Sequence, residues 1–164
     1  MDNLLVSVVT IVRNGEYEIE ETIKSVLKQN YKHIEYIIID GNSTDNTMNI
    51  INRYKNNISY IVSEADFGIF DAINKGVQIA SGDLIGLIHS GDSYEPNTIK
   101  IVAETFIKTN ADIIYGDMYS KEVIDAVVIT KRHIANHTNL KNKMSIFHPS
   151  TFIKRKCYKE IGLY

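Results

Sequence analysis

The chain has 164 residues, 44% of them apolar and 23% charged, with only two prolines and nine glycines. That length suits one domain with a real hydrophobic core, and the composition excludes low complexity. Net charge is −2 with both signs interspersed, so nothing forms the basic stripe that a phosphate backbone requires, and nucleic acid is not an expected partner.

Cys157 is the single cysteine, so no intramolecular disulfide forms, and Met1-Asp2-Asn3 lacks the basic start of a signal peptide; both point to a cytoplasmic chain. The run Leu4 to Val12 is about half the ~20 residues that span a bilayer as a helix. Its β-branched residues stop at Arg13-Asn14-Gly15, as in a strand covered on both faces. Ile19, Ile23, Val26 and Leu27 then make one helical stripe, with Glu16, Glu18, Glu20 and Glu21 near its positive end.

Ile34 to Ile39 reads as a second strand ending at Asp40, and Ser43 or Thr44 as the N-cap of a helix carrying Thr47, Ile50, Ile51 and Tyr54 on one face. A third strand spans Ile58 to Val62. Ile69, Ala72, Ile73, Gly76, Val77 and Ala80 repeat at helical spacing after it, opposite Asp71, Asn74, Lys75 and Gln78. Leu84 to Ile88 is a fourth strand, and Pro96 precedes a helix lined by Ile99, Val102, Ala103, Phe106 and Ile107.

Ile113 to Tyr115 and Val123 to Thr130 close the series as strands. Lys131 to Lys143 has no periodicity and reads as a mobile loop, ahead of a short strand near Thr151 to Ile153. At Gly162-Leu163-Tyr164 a new apolar element starts, which is the pattern of an interrupted protein. The alternation of strand and helix implies βαβ units and a mostly parallel sheet between helix layers.

In such a sheet, ligands bind beyond the carboxyl ends of the strands. Those ends are polar and small here: Arg13-Asn14-Gly15, Asp40-Gly41-Asn42-Ser43, Ser63-Glu64-Ala65-Asp66-Phe67-Gly68 and His89-Ser90-Gly91-Asp92. Together they describe a nucleotide pocket with carboxylates available to a cation. No Gly-x-Gly-x-x-Gly follows the first strand and no Gly-x-x-x-x-Gly-Lys-Ser/Thr loop occurs, which weighs against the classical dehydrogenase and kinase readings. A carboxylate-held divalent ion, Mg2+ or Mn2+, is left to neutralise phosphates.

These residues carry a resemblance. Val6-Ser7-Val8-Val9-Thr10, the run Asp40 to Thr47, the run Ser63 to Gly76, and Gly82-Asp83-Leu84-Ile85-Gly86 leading to Ser90-Gly91-Asp92 are similar, in this order, to family 2 glycosyltransferases of bacterial cell-surface polysaccharide synthesis. The resemblance covers essentially the whole chain. It implies a three-layer α/β/α GT-A fold, Rossmann-like, with a mostly parallel central sheet: one nucleotide-sugar-binding domain over residues 1–164, lacking an acceptor-side C-terminal part. It also implies inverting transfer of a sugar, with a UDP-sugar as donor, to a saccharide or lipid-linked acceptor.

Residue by residue, the resemblance implies that Thr10 and Val12 line the base pocket, that Asp40, Gly41 and Asn42 touch the uracil or ribose, and that Asp66 and Asp71 flank the ribose or donor sugar. Gly91 and Asp92 would bind substrate, Asp92 would hold the metal, and His148 in Phe147-His148-Pro149-Ser150 matches a position near the diphosphate. Two departures stand out. Family members often carry a second carboxylate at the position of Gly41 and an Asp at that of Gly91. The catalytic base is implied beyond Tyr164, with Asp117 in Tyr115-Gly116-Asp117 as the fallback within the chain.

Blander readings stand beside these. Asp40 and Asp92 are also the residues that cap helices or close turns, Asp71, Asn74 and Lys75 also fit a solvated helix face, and His148 also fits a structural hydrogen bond. His133 and His137 are four apart, but no acidic third ligand lies near enough to make a zinc site. Lys154, Arg155, Lys156 and Lys159 read either as a solvated face or as a surface for anionic lipid at the membrane. A nucleotidyltransferase and a nucleotide-sugar-binding module without turnover are the alternative functions.

Overall fold

The computed structural model describes residues 4–164, so the Met1-Asp2-Asn3 start lies outside the described residues. In chain order come β1 (Val6–Val12), α1 (Ile19–Leu27), β2 (Ile34–Asp40), α2 (Thr47–Asn52), β3 (Tyr60–Ser63), α3 (Ile69–Ile79), β4 (Leu84–His89), α4 (Thr98–Thr109), β5 (Ile113–Tyr115), β6 (Met118–Ile124), β7 (Val127–His133), β8 (Thr151–Lys154) and α5 (Arg155–Ile161). A six-stranded sheet runs β3-β2-β1-β4-β8-β5. The strands β1 to β4 are mutually parallel, and β8 lies antiparallel between β4 and β5.

The two faces of the sheet carry separate cores because neighbouring strand residues point opposite ways. Val6, Val8 and Val12 join Ile19 and Ile23 of α1, Ile51 of α2 and Ile99 of α4 on one face. Val9 and Ile11 join Ala72, Ile73 and Val77 of α3 on the other, with Tyr158 of α5 packed against them. Gly76 lets α3 approach closely: a Cβ there would lie 2.2 Å from Val9 Cγ1. Three layers, α/β/α, result.

At the amino end of the strands, Glu35 is buried and accepts from the Ser7 hydroxyl at 2.5 Å and from the Ser81 N–H and hydroxyl at 2.8 and 2.7 Å. Burial alone would raise its pKa, but these hydrogen bonds outweigh burial and hold it below its ordinary value.

Several expectations are corrected. The segment Val123 to Thr130 is two strands rather than one: Asp125 and Ala126 both have positive φ, at 49° and 64°, and turn the chain into a β6–β7 hairpin outside the central sheet. Lys131 to Lys143 is not one loop, since β7 continues to His133 and His137–Asn139 forms a 3-10 turn. The helix expected from Ser43 begins at Thr47, because the Ser43 hydroxyl is committed to Asp40 and to the Asn14 N–H. Asp45 instead accepts from the Thr47 N–H at 3.0 Å and its hydroxyl at 2.5 Å.

Candidate active site

At the carboxyl ends of β1 and β4 lies a cleft of about 550 Å³, walled by Val12 of β1, Arg13 and Asn14 after it, Asp66, Gly68 and Ile69 before and within α3, and His89 and Ser90 at the end of β4. The loops after β1 and β2 are laced together. Ser43 Oγ accepts from the Asn14 N–H at 2.7 Å, Thr47 Oγ1 from the Gly15 N–H at 2.8 Å, and Asn14 Oδ1 in return from the Thr44 N–H at 2.8 Å. Glu16 and Asp45 exchange similar bonds with the Asn46 and Glu16 N–H groups. Much of the run Asp40 to Thr47 therefore serves to build the cleft.

Asp40 belongs to that scaffold. It is fully buried, and its carboxylate accepts from the Ser43 N–H and hydroxyl and from the Ser63 hydroxyl at 2.6 Å. Asn42 stands exposed beside it with φ of 59°. At Gly41 a Cβ would meet Asp66 Oδ2 at 2.3 Å, so a side chain there requires the Asp66 carboxylate to move. A second carboxylate here would displace Asp66, which accounts for that departure in steric terms.

Val12 reaches the cleft, whereas Thr10 does not: it is fully buried, with its hydroxyl 3.0 Å from that of Tyr36. Asp66 faces the cleft and accepts from the Gly68 N–H at 3.0 Å. Asp71 lies behind it, accepting from the Phe67 N–H at 3.1 Å and pairing with Lys75, so its pKa is lowered. Lys75 is no solvated side chain. It binds Glu64 at 2.9 Å, Asp71 at 3.1 Å and the Ala65 carbonyl at 3.0 Å, clamping the loop from β3 to α3.

At the end of β4, Gly91 turns the chain with φ of 98° and Asp92 is half-buried. Among the described residues no other side chain hydrogen-bonds its carboxylate. Burial raises its pKa, partly offset by His89 and His148. The His148 ring stands edge-on to that of His89 at 5.5 Å, and its Nε2 is buried without a partner. Burial, then the neighbouring His89, lowers the His148 pKa against the pull of Asp92. The Ser90 hydroxyl is likewise buried without a partner, against the cleft.

His89, Ser90 and Arg13 belong to the strand ends that the sequence marks as a pocket, but the resemblance gives none of them a role. Their place at or just past a strand's carboxyl end was the available signal. A second cleft, about 590 Å³, adjoins at Gly91 and Asp92 and runs between α4 and β6 past Ile101, Tyr115 and Asp117. Among the described residues no three His, Cys, Asp or Glu side chains are placed to hold a metal by themselves. His133 and His137 are bonded apart, to Ser120 and Tyr115. Lys154 and Lys156 pair with Asp112, leaving a smaller free basic surface than the sequence suggests, and no described helix is long and apolar enough to cross a membrane.

Parallel strand ends under two helix layers, with a carboxylate held at the end of β4, define the GT-A class of fold. Its solved neighbours include Staphylococcus aureus TarS 1-349 in complex with UDP-GlcNAc, at a TM-score of 0.77 and 20% identity over 96% of this chain and 47% of that one. The mannosyltransferase PcManGT of Pyrobaculum calidifontis, in complex with GDP-Man and Mn2+, matches at a TM-score of 0.75 and 15% identity over 99% of this chain and 48% of that one.

The chain belongs to glycosyl transferase family 2, whose family model matches residues 7–161. Among curated relatives, the glycosyltransferase GlyG of Streptococcus pneumoniae is 30% identical over 76% of this chain and 42% of its own length. The UDP-Glc:alpha-D-GlcNAc-diphosphoundecaprenol beta-1,3-glucosyltransferase WfgD of Escherichia coli is 30% identical over 88% of this chain and 56% of its own. The chain thus spans about half the length of these relatives.

Proposed function

We propose that the protein transfers a sugar from a nucleoside diphosphate sugar, a UDP-sugar in the first instance, to a saccharide or lipid-linked acceptor with inversion, in cell-surface polysaccharide synthesis. The observation that carries this reading is the carboxylate of Asp92, half-buried two residues past the cleft-lining Ser90, lining the adjoining cleft and within electrostatic reach of His148, whose Nε2 is buried without a partner among the described residues. The UDP-GlcNAc bound by TarS and the UDP-Glc in the name of WfgD support the donor class, and the diphosphoundecaprenol in that name supports a lipid-linked acceptor.

In this reading Val12, Arg13 and Asp66 hold the nucleoside, with Asn42 at the rim of its pocket and Asp40 and Gly41 shaping the wall. Ser90, Gly91 and His148 face the diphosphate. The donor set suits a divalent cation that takes its other ligands from phosphate oxygens and water: Asp92 supplies one hard oxygen, and His148 one nitrogen. When bound, such an ion stabilises the negative charge that develops on the leaving diphosphate. The Mn2+ in the PcManGT complex supports this cofactor class.

The acceptor oxygen bonds to the anomeric carbon as the bond to the β-phosphate oxygen breaks. The electron pair leaves with the nucleoside diphosphate, and the hydroxyl proton passes to a base on the opposite face. Asp117 suits that base poorly, because the Ala135 N–H and Arg132 hold its pKa down.

Calorimetry with UDP and Mn2+ tests the site. Asp92→Ala is expected to abolish metal-dependent UDP binding without loss of fold, and unchanged affinity would remove Asp92 from the metal site. UDP is also expected to raise the melting temperature more with Mn2+ than with EDTA. Product analysis separates the alternatives. A glycosyltransferase leaves free UDP, a nucleotidyltransferase leaves a sugar 1-phosphate, and a binding module leaves the donor intact.

A further inference from the structure

After α5 the chain turns at Gly162, φ 113°, and Tyr164 comes to lie on α3. Asn74 Nδ2 donates to the Tyr164 carbonyl at 2.9 Å, and the Tyr164 N–H donates to Asn74 Oδ1 at 3.0 Å. A carboxamide presents donor and acceptor side by side, as a peptide group does, so this pairing fixes both the position and the direction of the backbone.

The paired residue carries an aromatic ring into a row. Tyr164 stacks on Phe70 at 6.2 Å with 15° between planes and lies 5.8 Å from His148, which is 5.5 Å from His89. Four rings therefore run from the first turn of α3 to the end of β4, and the same two elements give Ile69 and His89 to the cleft wall. The row ends at His89, which lines the cleft, and Phe70 follows the cleft-lining Ile69 in the chain. Phe70 is 60% exposed and Tyr164 48%.

We propose that Tyr164 walls the glycosyl end of the donor site, taking the C–H face of the donor's pyranose, and that Asn74 is the positioning residue that holds it there. The inference rests on the donor reading above. A nucleotide whose diphosphate reaches Asp92 presents its sugar to this rim, and aromatic faces suit the apolar face of a sugar ring.

The test compares UDP with UDP-GlcNAc and UDP-glucose by calorimetry in Mn2+. In the wild type at least one of the two sugar nucleotides is expected to bind more tightly than UDP. Tyr164→Ala and Asn74→Ala should each lower that affinity roughly three- to tenfold while leaving UDP affinity unchanged, and Tyr164→Phe should keep it. Unchanged UDP affinity also shows that each variant is folded. Equal loss for UDP and sugar nucleotide, no loss in Tyr164→Ala, or no gain over UDP in the wild type overturns the wall. Loss in Tyr164→Ala without loss in Asn74→Ala overturns the positioning role. Failure of the donor reading is distinguishable, because wild type then binds no UDP; the proposal falls with it.

Discussion

One oxygen of Asp117 accepts from Arg132 through Nη2 at 2.6 Å and Nε at 2.9 Å, while the other accepts from the Ala135 N–H at 2.9 Å. The carboxylate thereby ties the base of β6 to the end of β7. Asp117→Asn is expected to speed amide exchange at Ala135 and along the hairpin by several-fold, with UDP affinity unchanged. Lost sugar transfer with unaltered hairpin protection would instead identify Asp117 as the base.

Glu35 should make stability depend on acid. Its folded pKa lies below the ordinary value of 4.5, so its contribution is complete above that value and is lost as pH falls through the folded one. Glu35→Gln is expected to cost about 1–3 kcal/mol at pH 7, because buried donors from Ser7 and Ser81 lose a charged acceptor. Melting curves should show the gap between wild type and variant narrowing as pH falls below the ordinary 4.5. A gap independent of pH would show that Glu35 acts only through its shape.

At Gly76 two effects oppose each other. Alanine gains about 1 kcal/mol of helix propensity, but its Cβ meets Val9 Cγ1 at 2.2 Å and Ile39 Cγ1 at 3.3 Å. Overpacking of that kind costs about 1–3 kcal/mol, so Gly76→Ala should destabilise and Val9→Ala should partly rescue it. Denaturant midpoints for the double-mutant cycle give the answer, and additive losses would disprove the contact.

Gly41→Asp should weaken UDP binding roughly tenfold, about 1.4 kcal/mol, by pushing Asp66 from the cleft wall. Calorimetry measures it directly. Full affinity in the variant would mean that Asp66 does not touch the nucleotide.

The strands that were easiest to read in the sequence, β1, β2 and β4, are those buried on both faces, where a continuous apolar run leaves little alternative. The β6–β7 turn was not legible because Asp125-Ala126 lacks the Asn-Gly or Asp-Gly signature of such hairpins, although both residues adopt the positive φ that the turn demands. Asp92 and Asp66 stand out in the sequence by motif and strand-end position, and His148 only by the resemblance. Thr10 shares the motif but points into the core, a matter of strand phase and of its bond to Tyr36. The work of Lys75 and Asn74 was hidden because both reach partners brought up by distant segments: Glu64 across a loop, and Tyr164 across the fold.

The position of β8 bears on how the chain folds as it is synthesised. Among the described residues β5 has no sheet neighbour except β8, which is made later in the chain, Tyr115 pairing with Thr151. The four parallel strands through His89 can assemble as the chain emerges, but Ile113 to Tyr115 must wait with its backbone groups unpaired until Thr151 to Lys154 slides in beside β4. Closing that long loop late is the slow, entropy-limited step of such a topology. Until then β4 is itself an edge, the strand whose end carries His89 and leads to Asp92, so the insertion that completes the sheet also brings His148, just upstream of β8, to its place beside them.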